Sequence, residues 1–258
     1  MDYETLIYEK EGEVGILTYN RPKTVNAVNK KMLEELYDFW IARQRDFATR
    51  VIIVTGAGEK GFCSGLDMKA VATEFAPESG PTGASTWEGQ IHFSVIMRLI
   101  RSCPQPVIAA VHGPAMGAGL SFALASDIRL ASEDAFFCAQ YINIGTGGAD
   151  LSSSFFLPKI VGWGKAAEMC LTGVRVPAVE AYRIWLANHV HTREDLLPAA
   201  NAMAAVMCSK NDLGLRLTKD AFNSALNGSS LEDANRMEYR NQALIIANAI
   251  TEGAKQLG

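Results

Sequence analysis

The sequence PVIAAVHGPAMGAGLSFALASD, residues 106–127, decides how this chain can fold. From Val107 to Ala125 it carries no formal charge and little polarity, so it is about as long as the ~20 apolar residues that a membrane-spanning helix requires. A Gly-Pro pair interrupts its middle, however, and two further glycines follow. Because proline and glycine break a continuous helix, the stretch predicts a buried strand, a glycine-rich turn and a buried helix rather than a membrane span.

Upstream of this stretch, the pattern indicates a strand pair, a helix and a further strand. The residues from Tyr8 to Glu13 and from Val14 to Asn20 predict two short opening strands, the second rich in β-branched and aromatic side chains. Asn29 precedes apolar residues at helical spacing, so we expect it to cap a helix over Lys30–Phe47. The run from Val51 to Gly56 is continuously apolar, as in a parallel strand that is covered on both faces.

The alternation of strand and helix continues along the chain. A polar stretch from Thr73 to Glu88 precedes a helical pattern over Gln90–Arg101, and a further strand is expected at Ile128–Ala131. This order predicts an α/β fold with an open, mainly parallel sheet. From about Gly164 onward, apolar residues recur at intervals of three and four, which predicts a helical C-terminal region.

The charge balance argues against two classes of partner. The chain has 258 residues, with 24 lysines and arginines against 28 aspartates and glutamates, so its net charge at pH 7 is −4. Proteins that bind chiefly nucleic acid or an anionic membrane surface carry basic patches, and no basic run occurs here. We therefore expect no nucleic-acid partner and no membrane, whereas a small anionic ligand is compatible with the composition.

Cysteine and histidine usage indicates a reduced protein without a metal. The five cysteines are widely spaced and form no C-x-x-C motif, which disfavours a disulfide framework and a zinc ribbon. His189 and His191 form an H-x-H pair, but no third ligand is near them in the sequence, so no metal site is expected. The first residues are acidic where an export signal would be basic and apolar, so we expect a cytoplasmic protein.

Two glycine-rich turns follow predicted strands and are the first candidates for chemistry. Gly56 to Gly61 spells G-x-G-x-x-G, but residues 62–67 do not open a helix, so a nicotinamide or flavin site is disfavoured. The second turn, Gly113 to Gly119, leads into a predicted helix, whose free N–H groups and dipole favour developing negative charge. With a backbone N–H from the Ser64-Gly65 turn, this pattern predicts an oxyanion hole; the alternative is that both turns only permit close packing.

Several motifs together resemble one known family. VIIVTGAGEKGFCSGLDMK (Val51–Lys69) and residues 106–127 closely resemble the two signature blocks of the crotonase, or enoyl-CoA hydratase/isomerase, superfamily. The likeness extends to Asn20–Ala27, Leu157–Gly162 and Leu171–Gly173, so it covers about the first 175 residues.

The resemblance implies a crotonase-like spiral of stacked β-β-α units. It also implies a core over residues 1–195 that holds an acyl-CoA site. A helical region over residues 196–258 would serve trimerisation and close over the CoA site as a lid. The substrate would be a coenzyme A thioester, with no metal or redox cofactor, and the chain would form a homotrimer or a dimer of trimers.

The resemblance also assigns site residues. The backbone N–H groups of Ser64 and Ala118 would form an oxyanion hole that polarises the thioester carbonyl and stabilises an enolate. The family's glycine is alanine at position 118, and its added methyl group is expected to narrow the site. Lys69 is expected either to contact a phosphate or the adenine of CoA or to be solvated. The residues that the resemblance places along the CoA moiety are Lys23, Val25, Ala27, Asp67, Met68, Lys69 and Gly117.

The departures from the family pattern concern the acids. Family hydratases handle water with two glutamates, and the corresponding positions here are Ser121 and Tyr141, so hydration by two acids is disfavoured. Either hydroxyl could bond a substrate oxygen or hold a water molecule. Asp150 falls where family isomerases and aryl-CoA dehalogenases carry a catalytic aspartate; the alternative is a helix cap before Leu151–Leu157.

These residues favour double-bond isomerisation of an enoyl-CoA, with Asp150 as the acid/base. The alternatives are hydrolysis, carbon–carbon cleavage, hydration or dehalogenation of a cyclic or aromatic acyl-CoA, and a catalytically silent CoA-binding homologue. The acyl group itself is not predicted, because specificity in the family lies in the variable stretch from Thr73 to Glu88 and in C-terminal helices.

Overall fold

The computed structural model describes residues 2–71, 74, 80, 82–228 and 230–256, with side chains as far as Thr251. The strands are β1 (Leu6–Glu11), β2 (Val14–Tyr19), β3 (Val51–Gly56), β4 (Val107–Val111), β5 (Pro114–Met116), β6 (Ile128–Ser132), β7 (Phe136–Cys138), β8 (Arg175–Pro177) and β9 (His189–His191). The helices are α1 (Lys30–Arg43), α2 (Met68–Ala70), α3 (Gly83–Ser102), α4 (Ala118–Ala125), α5 (Ser153–Val161), α6 (Trp163–Thr172), α7 (Ala178–Arg183), α8 (Leu196–Cys208), α9 (Asp212–Asn227) and α10 (Leu231–Gln256). Short 3-10 turns lie at Pro22–Thr24 and Ile142–Ile144.

A mainly parallel sheet forms the centre of the fold, which confirms the prediction. Its spatial order is β1-β2-β3-β4-β6-β9; β1 is antiparallel to β2, and the other neighbouring pairs are parallel. A second sheet has the order β5-β7-β8, with β5 parallel to β7. Strand β4 is buried along its whole length, because helices cover both faces of the sheet there.

The stretch over residues 106–127 folds as a strand, a turn and a helix, as predicted. Strand β4 and every residue of α4 are buried. The turn between them contains β5, which the sequence did not reveal because a strand of three residues is too short to show periodicity. No helix in the described ranges is both long and apolar enough to cross a membrane.

Helix α8 covers one face of the central sheet. Its apolar side chains at four-residue spacing, Leu196, Ala200 and Ala204, pack in one cluster with Ile53 and Ile108. The alternate side chains of the same strands point to the other face, where α1, α3 and α4 complete a larger core. The first helix of the region over residues 196–258 is therefore part of the sheet packing, while α9 and α10 pack on each other.

Helix α1 is shorter than expected. It begins after Asn29, whose side chain accepts a hydrogen bond from the Met32 N–H, so the predicted cap is confirmed. It ends at Arg43, and Phe47 therefore does not belong to its apolar face. Phe47 is 66% exposed and lies beneath the guanidinium of Arg216.

Helix α3 is longer than expected. Thr82 and Ser85 form a capping box, in which each side chain accepts a hydrogen bond from the other residue's N–H, and the helix therefore begins at Gly83. The end of the polar stretch from Thr73 to Glu88 is thus helical rather than irregular. Most of the stretch before Thr82 lies outside the described residues.

The two glycine-rich segments approach each other through their backbones. The Cys63 N–H donates to the Pro114 carbonyl, and the Met116 N–H donates to the Cys63 carbonyl, both at 3.0 Å. Gly119, in the first turn of α4, lies so close to Cys63 that a methyl group on it would collide with the Cys63 carbonyl oxygen. Close packing of the two turns therefore requires glycine at position 119.

We expect Gly119→Ala to destabilise the protein by about 3 kcal/mol, because the added methyl group meets backbone that cannot move aside. The matched control is Gly89→Ala in α3, where no atom of the described residues lies within 4 Å of the added Cβ. It should stabilise the helix by roughly 0.5–1 kcal/mol. Urea unfolding followed by circular dichroism measures both; equal free energies of unfolding for the two variants would contradict the account.

Candidate active site

A cavity of about 530 Å³ opens where the loop after β3 meets the turn before α4. The predicted site residues that line it are Lys23, Ala27, Ser64, Asp67, Met68, Lys69, Gly117, Ala118, Tyr141 and Asp150. Val25 and Ser121 are not among the lining residues, and Ser121 is fully buried. The structure thus brings most of the predicted residues to one cavity.

The Ala118 N–H lies at the start of α4, beside the cavity. Ala118 is the first residue of α4, so no carbonyl one turn earlier in the helix accepts its N–H. Gly117 precedes it with φ +52° and ψ −117°, a conformation that side chains strongly disfavour. Ala118 is only 2% exposed and belongs to the hydrophobic core, so its methyl group narrows the cavity little.

The Ser64 N–H is not available as the second donor, and that prediction is wrong. It donates to the Val25 carbonyl at 3.0 Å, which fixes the loop after β3 to the segment that follows β2. The Ser64 hydroxyl donates to the Thr24 carbonyl. Ser64 therefore holds two neighbouring loops together at the cavity rim.

The neighbouring N–H of Leu66 takes the place that Ser64 was expected to fill. Leu66 and Val28 form a parallel bridge, in which the hydrogen bonds use the Gly65 carbonyl and the Asp67 N–H. The Leu66 N–H therefore points away from Val28, and among the described residues it has no acceptor. Leu66 lines the same cavity as Ala118.

The two candidate donors lie close together because Gly65 packs on the backbone before α4. A Cβ on Gly65 would lie 2.9 Å from the Met116 carbonyl oxygen and 3.5 Å from the Ala118 nitrogen. Gly65 also has φ +97°, which turns the next peptide out of the regular extended direction. This glycine was the signal in the sequence that could have shifted the assignment from Ser64 to Leu66.

Tyr141 and Ser121 form a buried hydrogen-bonded pair. The Ser121 Oγ and the Tyr141 Oη are 2.6 Å apart, and the Tyr141 hydroxyl donates to the Gly117 carbonyl at 2.7 Å. Burial raises the pKa of Tyr141, opposed by the bond to Ser121 and assisted by the negative charge of Asp150. The phenol therefore stays protonated over the physiological pH range.

Asp150 is a partly buried carboxylate at the wall of the cavity. Its Oδ1 accepts the Leu151 N–H at 2.7 Å, and its Oδ2 lies 3.3 Å from the Gln90 Nε2. Helix α5 begins only at Ser153, so the carboxylate holds a turn before the helix and is not its N-cap. Gln90, on α3, is a lining residue that nothing in the helical pattern of the sequence singled out.

Asp67 is the other carboxylate among the described lining residues, and it has structural partners. The Arg21 guanidinium lies 2.9 Å from one oxygen, and the N–H groups of Lys69 and Ala70 donate to the other. Burial would raise the pKa of Asp67, but these hydrogen bonds prevail and lower it. The carboxylate therefore stays ionised and fixes the start of α2.

The exposed side chains at the mouth include two lysines. Lys23 and Lys69 both line the cavity, and both are solvent-exposed. His189 and His191 lie on β9, at the edge of the central sheet, with ring centres 6.1 Å apart. In the described part of the chain, no cluster of three or more potential metal ligands occurs, there or elsewhere.

Comparison with known proteins gives consistent matches over most of the chain. The model of the enoyl-CoA hydratase/isomerase family matches residues 9–256. The crotonyl-CoA hydratase of Syntrophomonas wolfei is 38% identical over 227 residues, which cover 88% of this chain and 84% of that protein.

Solved structures agree with the sequence matches. A monofunctional enoyl-CoA isomerase of M. smegmatis has a TM-score of 0.73 at 32% identity, covering 89% of this chain and 97% of the other. A protein assigned as an enoyl-CoA hydratase, from Thermobifida fusca YX and in complex with CoA, has a TM-score of 0.85 at 28% identity. That match covers 96% of this chain and 95% of the other. The crotonase-like spiral expected from the sequence is confirmed.

The ion pair at Asp67 predicts a pH-dependent contribution to stability. Because the folded-state pKa is lowered, this contribution is present above the unfolded-state pKa of about 3.9 and is lost as the pH falls through the folded-state value. We expect Asp67→Asn to reduce the free energy of unfolding by about 1 kcal/mol at pH 7, and the difference from wild type to shrink below about pH 4.

Urea midpoints at pH 7 and pH 3 measure this difference. Asn retains the oxygen that accepts the N–H groups of Lys69 and Ala70, so the variant removes only the interaction with Arg21. Asp38→Asn, at an exposed position on α1, is the matched control and should change the midpoint little at either pH. A loss at Asp67 that is equally large at both pH values would contradict the ion-pair account.

Proposed function

This chain belongs to the enoyl-CoA hydratase/isomerase family, and we propose that it shifts the carbon–carbon double bond of an enoyl-CoA thioester. In this reaction a base removes a proton from the carbon next to the thioester carbonyl, and the electron pair enters an enolate. The proton then returns to the far carbon of the original double bond, so that the double bond moves next to the thioester carbonyl. Such a reaction needs a donor pair for the enolate oxygen and one group that both takes and gives a proton.

The donor pair is supported by the backbone geometry. The N–H groups of Leu66 and Ala118 face one cavity, and neither is consumed by the β-bridge or by the helix. Donors held by the fold need no reorganisation when charge develops, and each one is worth roughly 3 kcal/mol of transition-state stabilisation. We assign them to the thioester oxygen.

The different environments of the two carboxylates at the cavity, Asp67 and Asp150, are the reason for preferring isomerisation. Asp67 is tied to Arg21, whereas the Asp150 carboxylate, among the described residues, accepts the Leu151 N–H and makes a long contact with Gln90. Ser121 and Tyr141 occupy the positions of the two hydratase glutamates and bond to each other. One available carboxylate suits proton transfer between two carbons, which uses a single acid/base.

The remaining features of the proposal concern CoA and location. Lys23 and Lys69 at the mouth are suited to the phosphates of CoA. Proton transfer through an enolate requires no metal or redox group, so we assign none. The five cysteines are free thiols, which is compatible with the cytoplasmic location that we propose.

Hydration is the second candidate, because the relative from Syntrophomonas wolfei is named a crotonyl-CoA hydratase. It would require water to be activated by Asp150 alone. Hydrolysis, carbon–carbon cleavage or dehalogenation of a cyclic or aromatic acyl-CoA would use Asp150 as a base or nucleophile. These reactions differ from isomerisation in the atoms that the product gains or loses, so one experiment separates them.

Asp150→Asn should lower the turnover rate at least about a hundredfold, because an amide cannot take and return the proton. The variant should still bind the CoA thioester. A panel of enoyl-, aryl- and cyclic acyl-CoA thioesters is incubated in heavy-oxygen water; liquid chromatography against isomer standards identifies shifted double bonds, and mass spectrometry reports gained solvent oxygen. We expect a shifted double bond without gain of solvent oxygen, and normal turnover by the Asp38→Asn control.

Three results would contradict the proposal. Solvent oxygen in the product would indicate hydration or hydrolysis, and an unchanged rate in Asp150→Asn would exclude this residue as the acid/base. CoA-thioester binding without turnover of any panel member would favour a silent binding protein.

We also propose that the chain assembles as a trimer or a dimer of trimers. Large apolar side chains that a monomeric protein usually buries are solvent-exposed on α6, on α7 and just after α7. Among them are Trp163, Val179 and Trp185. Light scattering should give three or six times the mass of one chain. A stable monomer at micromolar concentration would contradict this assembly.

A further inference from the structure

The Gly117–Ala118 peptide is held from several sides. On its N-terminal side, the N–H of the preceding Met116–Gly117 peptide donates to the Cys138 carbonyl at 3.1 Å, and the Gly117 carbonyl itself accepts the Ser121 N–H at 3.0 Å. The same carbonyl accepts the Tyr141 hydroxyl at 2.7 Å. The peptide whose N–H points to the cavity therefore has its carbonyl fixed by one side-chain hydroxyl.

The direction of the hydrogen bonds follows from the number of protons. A carbonyl oxygen only accepts, so the single hydroxyl proton of Tyr141 is given to Gly117. The Tyr141 oxygen can then only accept from Ser121, at 2.6 Å. The result is a directed chain in which Ser121 donates to Tyr141 and Tyr141 donates to Gly117.

This chain leaves neither hydroxyl proton for a substrate. Tyr141 is 5% exposed and Ser121 is fully buried, so water does not compete for these bonds. In this arrangement neither hydroxyl can donate a hydrogen bond to a substrate oxygen or to a catalytic water. Any effect of the two hydroxyls on the reaction therefore passes through the Gly117 carbonyl, to which Tyr141 donates.

We propose that Tyr141 and Ser121 are positioning residues that orient and polarise the Gly117–Ala118 peptide, and so strengthen the Ala118 N–H as an oxyanion donor. This inference rests on the proposed function, because it assigns the Ala118 N–H to a thioester oxygen. In a trans peptide the carbonyl and the N–H point in opposite directions, so a donor on the carbonyl side fixes the direction of the N–H. Hydrogen bonds in a chain polarise one another, more so in a dry site.

The fold places the two hydroxyls where this role requires them. Strand β5 ends at Met116, directly before Gly117, and pairs in parallel with β7. Tyr141 follows β7 at the start of a 3-10 turn, and Ser121 lies one helical turn after Gly117 in α4. Two hydroxyls thus stand where a hydratase would place two acids; that of Ser121 is directed at Tyr141, and that of Tyr141 at the Gly117 carbonyl.

The test is the carbonyl stretching frequency of a bound thioester. The probe is butyryl-CoA labelled with ¹³C at the thioester carbon; it is saturated and has no double bond to shift or hydrate. Isotope-edited infrared difference spectra report how strongly the oxyanion donors polarise the carbonyl. Calorimetry on the same samples reports whether the thioester binds.

Tyr141→Phe removes the hydroxyl and keeps the ring. We expect the bound carbonyl to lose a measurable part of its shift to lower wavenumber, and kcat on the productive panel substrate to fall about tenfold. The dissociation constant of butyryl-CoA should stay within threefold. Ser121→Ala should have a smaller effect of the same kind, and no additional effect in the Tyr141→Phe background, because it acts through the phenol.

Tyr19→Phe is the matched control. Tyr19 is a fully buried tyrosine whose hydroxyl has no hydrogen-bond partner among the described residues. Its ring packs on Phe62 and Phe122, the latter in α4. Loss of this hydroxyl should leave both the carbonyl frequency and kcat as in the wild type.

The outcomes separate the inference from the proposed function. A bound carbonyl that shifts equally in the wild type and in Tyr141→Phe would overturn the positioning role while leaving the thioester site in place. A wild type that does not bind butyryl-CoA would overturn the proposed function and the inference with it. Additive effects of the Ser121 and Tyr141 changes would contradict the directed chain.

Discussion

The close approach of two backbone segments, residues 63–66 and 117–119, is the constraint on which the site depends. Cys63 is hydrogen-bonded to β5, Gly65 packs on the Met116–Ala118 backbone, and Gly119 leaves no space for a side chain against Cys63. Side chains cannot intervene where two peptides converge on one small ligand atom. The buried β4 and α4 hold one segment, and the bridge to Val28 holds the other. Packing in the core therefore fixes the direction of two N–H groups at its edge.

Charge in the cavity is distributed so that each acid has a separate task. The ion pair with Arg21 keeps Asp67 ionised and structural, whereas the Asp150 carboxylate, bonded to the Leu151 N–H and 3.3 Å from the Gln90 amide, has no cationic partner among the described residues and lines the cavity. Where two more acids would serve a hydratase, this chain has two hydroxyls that satisfy each other. A neutral pair can be buried without the large desolvation penalty of two carboxylates. This distribution of charge is what the proposed isomerisation requires, namely donors for an enolate oxygen and a single group for moving protons.

The sequence predicted those parts of the fold whose patterns are long. The alternation of apolar runs and amphipathic helices was sufficient for the parallel sheet, for α4 and for the cap at Asn29. It missed β5, β7, β8 and β9, because strands of three residues show no periodicity and depend on tertiary pairing. The capping box at Thr82 and Ser85 was readable in principle, but polar composition concealed the start of α3.

The candidate site was predictable at the level of residues and less so at the level of atoms. The motifs singled out Ala118, Tyr141 and Asp150, and these three residues line one cavity. They could not show that the Ser64 N–H is used by Val25, or that the two hydroxyls form a chain, because hydrogen-bond partners distant in sequence leave no local pattern. The positive φ of Gly65, which redirects the next peptide to the cavity, is likewise a property of the folded loop.

The most direct measurement is a crystal structure of the protein with bound butyryl-CoA. The account predicts that the thioester oxygen lies about 2.7–3.1 Å from both the Leu66 and the Ala118 nitrogens, with the Ser64 N–H still bonded to Val25. A thioester oxygen bonded to the Ser64 N–H, or located elsewhere in the cavity, would contradict it.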